Sequence, residues 1–596
     1  MKKRVADILI ETLIEEGITQ CFAVVGGGAM HIDNALALHD AVDTVFCHHE
    51  QACAMAAEAY AKTSGKPALV SVTSGPGGIN ALNGVQSAYV DNTPMIIIAG
   101  HPRWDTTVNA SGLDLRYRGV QEFDIVPAVK GMTKYATYLL DPLNARAEIR
   151  KALKIAMDGR RGPVWISVPL DVQGAMVETD KLREDSFTQS SFVLTKEITD
   201  GINDYIRQAE RPVILPGSGV RAGGETERFR SWVDKMNIPV VGGSLLPDIM
   251  YEGARNYYGT SGILGERRGN FILQNADLII AIGNSLTSKQ TGFDIELFAP
   301  LAKIIMIDAG AEEGKKPGVR ADKFVYSDVK TFFDNADKIT PWHGNKEWIE
   351  YCDSLKDKLA GVDEEPVPDK SDRVPARFMW NTIRRNAPGD LIIVLGNNLG
   401  MQNCIQKSVS SPEQRVILNY NCGSMGFDLP ASVGTAKGAA KKVLCVTGDG
   451  SFMMNLQELQ TIRHYELPVK IMIMSNDGYG AIRQTNKAYF GGINIGCDKE
   501  SGVSFPDFEK IAAAFGFEYR RCENVSGLED AVKWIMSGDN AAILEVCQKI
   551  DDPTMPKLTS KLRGDGTFET PALQDLSPNI SEELMRELMP YRKKGE

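Results

Sequence analysis

Residues 448–477 read GDGSFMMNLQELQTIRHYELPVKIMIMSND, and the spacing of Asp449 and Asn476 within them decides how the chain is read. Upstream, KKVLCVT is a short apolar run suited to a buried parallel strand, and the glycines let the backbone turn sharply beneath a phosphate. Met453 to Tyr465 carries apolar residues at helical intervals, and PVKIMIMS is a second buried strand that delivers Asn476 beside Asp449. The resulting βαβ unit sets a carboxylate and an amide oxygen at two adjacent strand ends. A hard divalent cation that shares oxygen ligands with substrate phosphates wants that arrangement, so magnesium with a diphosphate is the simplest occupant. A plain turn at Gly-Asp-Gly, with Asn476 as a helix cap, is the alternative.

Working outward, PALVSVTSGPGGINALNGVQSAYVDNTPMIIIAG at 67–100 lines up without a gap on the segment that begins at Lys441. Each copy is strand, glycine turn, helix, short Pro-containing link and strand, which predicts two related α/β domains with parallel sheets. Between them RPVILPGSGVRAGG, IPVVGG, ADLIIAIGNSL and AKIIMIDAG supply the strands of a third such unit. The expected fold class is α/β, three doubly wound parallel-sheet domains: 1–185, 190–345 and 370–550. The charged, Pro-containing stretch 357–375 suits a linker. A tail at 551–596 ends in a helix-like SEELMRELM; it either covers the active site or a neighbouring subunit, or packs on its own domain.

The 596 residues favour several domains, and 43% apolar with 24% charged residues is ordinary for a globular protein. A net charge of -11 argues against nucleic acid or an anionic membrane as the main partner. No apolar run approaches the roughly 18 residues of a membrane span. The first segment, VADILIETLIEEG, suits an amphipathic helix better than a signal peptide. Ten cysteines without CxxC pairs suit reduced thiols and a cytoplasmic location.

A Gly-Asp-Gly followed after a helix and a strand by Asn is the signature of thiamine-diphosphate enzymes, which the chain resembles. Over roughly residues 1–550 it looks like their acetolactate synthase-like members, of the large catalytic subunit type. The resemblance implies thiamine diphosphate with Mg2+, held by Asp449, Asn476 and the backbone carbonyl of Gly478; Asp477 stands where the family often has a second Asn. In NCGSMGFDLP it implies that Gly423 and Ser424 approach the aminopyrimidine and that Met425 props the cofactor into its bent shape, although a Met here is also ordinary core filler. Gly450 and Ser451 would face the diphosphate, and Tyr479 and Gly480 would continue over it. NNLGMQNC departs from the family's Gly-Gln-His segment and leaves Asn398 and Gln402 as candidates.

In the first domain, Glu50 lies at a strand-to-helix junction, where the helix dipole alone favours an acid. HEQACAMAAEAYAKTSGKPALVSVTSGPGGIN nevertheless looks like the family's catalytic-glutamate region, with Pro76 and Asn80 on the turn and helix that follow. A carboxyl group there shares a proton with N1' of the aminopyrimidine and so favours the imino tautomer, whose 4'-nitrogen takes the proton from thiazolium C2. By the same resemblance, Gly27 of the Gly26-Gly27-Gly28 loop comes near the reacting carbon. Gln121 faces the substrate, with Lys134 a further candidate, while Val120 replaces a family Phe. His31, His48, His49 and His101 show no repeated spacing that suggests a metal cluster.

The implied function is decarboxylation of pyruvate or a similar 2-oxo acid with transfer of the two-carbon unit to an acceptor, in a homodimer or homotetramer. Alternatives are a thiamine-diphosphate-dependent hydrolase that cleaves a cyclic dione, and a nucleotide-binding regulatory partner without turnover. FAD is implied for the central domain. Ser285-Leu286-Thr287-Ser288-Lys289, in place of the family's Arg-Phe-Asp-Asp-Arg, leaves ADP or an empty cleft as alternatives.

Overall fold

Strands buried on both faces read as unbroken apolar runs, and Ile96–His101, Val164–Pro169, Val443–Gly448 and Val469–Ser475 are buried at every position. They belong to three six-stranded parallel sheets in a computed structural model that describes residues 1–243, 246–319, 321–397 and 399–591, the side chains of 399 and 400 excepted. Numbering strands by chain order within each sheet, the N-terminal sheet (Gln20 to Pro169) runs 2-1-3-4-6-5. The C-terminal sheet (Ile392 to Cys547) runs 2-1-3-4-6-5 as well. The internal echo in the sequence falls on the third and fourth strands of each. The central sheet (Pro212 to Tyr326) runs 3-2-1-4-5-6, the order of the dinucleotide-binding folds.

Strand order fixes where ligands bind, because an open parallel sheet leaves a crevice where neighbouring crossovers leave in opposite directions. In the two terminal domains that switch point lies between the first and third strands. It is bordered by Gly26–Gly28 and Thr73–Pro76 in one domain, and by Gly396–Asn397 and Asp449 in the other.

The terminal domains dock on each other through the helices Glu50–Ser64 and Asp428–Gly438, and Ala52, Ala56, Phe427 and Val433 share one apolar core. Gly434 is required in this contact, since a Cβ there would run into the Ala56 carbonyl. Lys437 pairs with Asp43 at 2.9 Å, and the His48 amide donates to Glu458 at 3.1 Å.

The segment expected to be a linker begins as helix, because Lys346–Lys358 runs into it, and Asp363 then pairs with Arg267 at 2.9 Å. The tail packs on the central domain, a place neither expectation named. Leu573, Leu576 and Leu588 join that domain's core, Asn270 donates to the Leu573 carbonyl at 2.9 Å, and the Tyr351 hydroxyl donates to that of Leu588 at 2.8 Å. Its short hairpin, Lys561–Leu562 with Phe568–Glu569, sets Phe568 edge-on to Tyr489 at the end of the helix Gly480–Tyr489.

Candidate active site

Asp449 opens the short helix that follows the strand Val443–Gly448 and is 3% exposed. One carboxylate oxygen accepts from the Gly450 amide at 2.8 Å; the other accepts from the Asn476 and Gly478 amides, each at 3.1 Å. Burial pushes its carboxyl up to about 6 against the pull of those three amides, so the ionised form lacks a nearby positive charge that a bound cation would supply. Asn476 ends its strand with its side-chain amide unpartnered among the described residues, and Gly478 follows at φ +147°. Carboxylate, amide oxygen and backbone carbonyl are all hard oxygen donors of the kind Mg2+ takes. Asp477 turns away from them, and its carboxylate pairs with Arg373 at 2.8 Å.

Around this point the chain forms a cradle. A Cβ on Gly450 would overlap the Tyr479 ring and come within 3.2 Å of the Met425 methyl, so those two side chains close over the Gly450 backbone. Gly423 is left-handed at φ +65°, and its carbonyl accepts from Asn397. Ser424 accepts at its hydroxyl from Asn419 at 2.9 Å. Gly480 donates its amide to the Gly478 carbonyl at 3.1 Å as the next helix begins.

Ser451 differs from expectation at its side chain. The hydroxyl points inward, donating to Asp428 at 2.6 Å and accepting from the Gly426 amide at 2.8 Å, so only its backbone is left to meet a diphosphate. Gln402 is half-buried on the helix Leu399–Ile405, with no partner among the described residues; Asn398 lies outside them.

The N-terminal domain builds a second cluster at its own switch point. Glu50 begins its helix at 9% exposure, and its carboxylate accepts from Asn80 at 3.0 Å. The other carboxylate oxygen lies 3.2 Å from where a Gly77 Cβ would stand, so glycine there leaves the Glu50 side chain room. Pro76 starts the same helix, Pro76–Val90, after Gly75 at φ +58°, against which the Gln121 carbonyl packs. Gln121 is exposed and itself left-handed at φ +53°. Gly27 is exposed with open space around it, while its neighbours press on Thr73 and Ser74 and the Gly28 amide donates to the Thr73 hydroxyl at 3.0 Å. Glu50, Pro76, Asn80, Gln121 and Gly27 therefore share one mouth.

Lys134 sits at the opposite edge of the sheet, where its ammonium donates to the Asp158 carbonyl, and this removes it from the site. His49 caps the Glu50 helix by accepting from the Gln51 amide, and His101 is buried between Trp104 and Tyr138. Among the described residues no hydrogen bond or ion pair joins the Glu50 cluster to the Asp449 cluster.

Three family descriptions match the chain in order: "Thiamine pyrophosphate enzyme, N-terminal TPP binding domain" over residues 3–126, the central domain over 199–335, and the C-terminal TPP binding domain over 396–546. The chain belongs to the thiamine pyrophosphate enzymes. Among similar proteins of known name, the probable acetolactate synthase large subunit of Methanococcus aeolicus is 30% identical over 91% of this chain and 91% of its own length. Acetolactate synthase 2, chloroplastic, of Nicotiana tabacum is 28% identical over 93% and 83%, and the large subunit of Lactococcus lactis 26% over 94% and 95%. Placed in the thiamine pyrophosphate enzyme fold, the two clusters lie in the two domains whose family descriptions name the cofactor.

Sequence reasoning missed Asp428 and Asn397. Asp428 is fully buried and gathers the Ser451 and Thr447 hydroxyls and the Leu429 amide; its signal was the acid in FDLP at a helix start, which passes for an ordinary dipole partner.

Proposed function

We propose that this thiamine pyrophosphate enzyme decarboxylates pyruvate or a close 2-oxo acid and joins the two-carbon unit to a second carbonyl compound. The reading rests on one observation: a nearly buried carboxylate, Glu50, and an oxygen-donor triad, Asp449, Asn476 and Gly478, occupy corresponding crevices of two sheets wound in the same order. The relatives named above are all acetolactate synthases, which favours carboligation over dione hydrolysis.

In this assignment Asp449, Asn476 and the Gly478 carbonyl hold Mg2+ and through it the diphosphate. Met425 and Tyr479 wall the Gly450 backbone against which the cofactor would lie. Bound thiamine diphosphate supplies a carbon nucleophile and then a sink for the electrons left by carbon dioxide. Glu50 holds a proton at the aminopyrimidine N1', and the Asn80 amide keeps the carboxylate turned toward its partner. The exposed Gln121 and Gly27 border the mouth where substrate enters.

The central cleft fits a flavin poorly. It is about 300 Å³, at the lower end of small-molecule sites, and the Arg160–Glu313 ion pair and the Lys316 contact with the Ser285 carbonyl lie across it. No step is assigned to FAD.

Because the two clusters are unconnected within one chain, the working unit proposed is a homodimer, or a homotetramer of two dimers, in which each site takes one cluster from each of two chains. Ten free thiols suit the reducing cytoplasm. No helix among the described residues is long and apolar enough to cross a membrane. Cofactor released by denaturation and identified by mass, together with carbon dioxide release from pyruvate, tests the proposal; no thiamine diphosphate, or no carbon dioxide from any 2-oxo acid, overturns it.

A further inference from the structure

Away from both clusters, the three domains meet around a cavity of about 130 Å³ to which each contributes an arginine: Arg161, Arg221 and Arg415. Lys62 joins them, against two carboxylates in the wall, Asp91 and Asp248. Lys62 is satisfied by Glu58, Asp91 and the Leu418 carbonyl. Asp248 is shared: one of its oxygens accepts from Arg415 Nε at 2.8 Å, and the other lies 3.4 Å from Arg221. A single buried carboxylate thus faces two guanidinium groups.

Arg161 takes no part in that clamp. It is half-buried and has no hydrogen-bond or ion-pair partner among the described residues, and burial holds its guanidinium below the usual arginine range. Arg221 Nε is also buried without a partner. Burial, with Arg415 and Arg230 nearby, lowers Arg221 to about 10 despite Asp248. Uncompensated buried positive charge is costly, and an anion that brings both charge and acceptors relieves it.

We infer that this three-domain cavity binds a phosphate dianion, through Arg161, Arg221 and Arg415. The charge balance of the wall, four cations to two anions, matches a dianion. The volume is below the roughly 300 Å³ of ordinary small-molecule pockets and admits a phosphoryl group without a large body. Guanidinium groups are the side chains best shaped for phosphate oxygens. Asn92, Ser218, Leu246 and Asn421 line this cavity and the central cleft alike, so the dianion is either free phosphate or the phosphate end of a larger molecule lying in that cleft. The site is independent of the cofactor assignment, although Lys62 lies on the Glu50 helix and Asn421 lies two residues before Gly423.

The test is calorimetric titration and thermal melting of the full chain at about pH 8, where phosphate and its monoesters are dianionic, with chloride at matched ionic strength as control. Saturable binding of inorganic phosphate and a rise in Tm are expected. Arg161→Ala, which breaks no existing bond and so keeps the fold, should weaken binding about tenfold or more. A sugar phosphate and a nucleoside diphosphate distinguish the two sources: equal affinity with inorganic phosphate assigns the free ion, and tighter binding assigns the larger molecule. No saturable binding of any of these probes, or undiminished binding by Arg161→Ala, overturns the inference.

Discussion

The Ser451 hydroxyl donates to the fully buried Asp428 carboxylate at 2.6 Å and at the same time accepts from the Gly426 amide at 2.8 Å. This one side chain ties the turn carrying Met425 to the turn carrying Asp449. Ser451→Ala leaves a buried acceptor and a buried amide short of a partner, with an expected loss of about 1–3 kcal/mol of stability. A denaturation midpoint unchanged from the parent would show that the bridge holds nothing.

Gly450→Ala should be worse for binding than for folding. The added methyl overlaps the Tyr479 ring and crowds Met425, both of which border the cradle, so thiamine diphosphate retention is expected to fall while the circular dichroism spectrum stays the same. Adding Tyr479→Ala should restore part of the binding. Failure of that rescue would point to a role for Gly450 beyond the lack of a side chain.

Glu50→Gln keeps an acceptor for Asn80 and removes the titratable proton. Turnover is expected to fall by about 10²–10⁴, the usual contribution of a positioned acid or base, with cofactor and Mg2+ content unaltered. Retained turnover would remove Glu50 from the chemistry.

If each site draws on two chains, mixing inactive Glu50→Gln with inactive Asp449→Ala should regenerate activity. Random pairing puts about half the dimers in mixed form, each with one intact site, so about a quarter of parental activity is expected after subunit exchange. No recovery in demonstrably mixed dimers argues that both clusters come from the same chain.

Glu58 gives stability a pH dependence of known sign. It is fully buried beside Lys62, and burial outweighs that lysine to push its carboxyl from 4.5 up to about 7. The folded chain therefore keeps this proton at pH values where the unfolded chain has lost it. The stability involved is complete below about 4.5 and is lost as the pH rises through about 7. Melting temperature measured across that window should show the decline, and Glu58→Gln should flatten it.

Much of this was legible beforehand. KKVLCVT and PVKIMIMS announce buried parallel strands because such strands must be apolar on both faces, and the glycines mark where backbone has to pass close to something else. Glu50, Asp449 and Asn476 could be named because each stands at a strand end. Asp428 could not be, since nothing in FDLP tells a buried carboxylate that collects hydroxyls from one at an exposed helix start. The inward turn of Ser451 depends on that same hidden acid. Arg161, Arg221 and Arg415 come from three domains far apart in sequence, and no local pattern brings them together. The docking of the tail on the central domain likewise depends on surfaces, such as those of Asn270 and Tyr351, that exist only after folding.

Two like-wound sheets make Thr73–Pro76 and Gly448–Gly450 positional counterparts, yet only the second turn bears an acid. The pair has divided its labour: one member has specialised in gripping a charged tail, its sibling in tuning a ring. A substitution that cripples one is therefore not offset by the other, however closely their scaffolds agree.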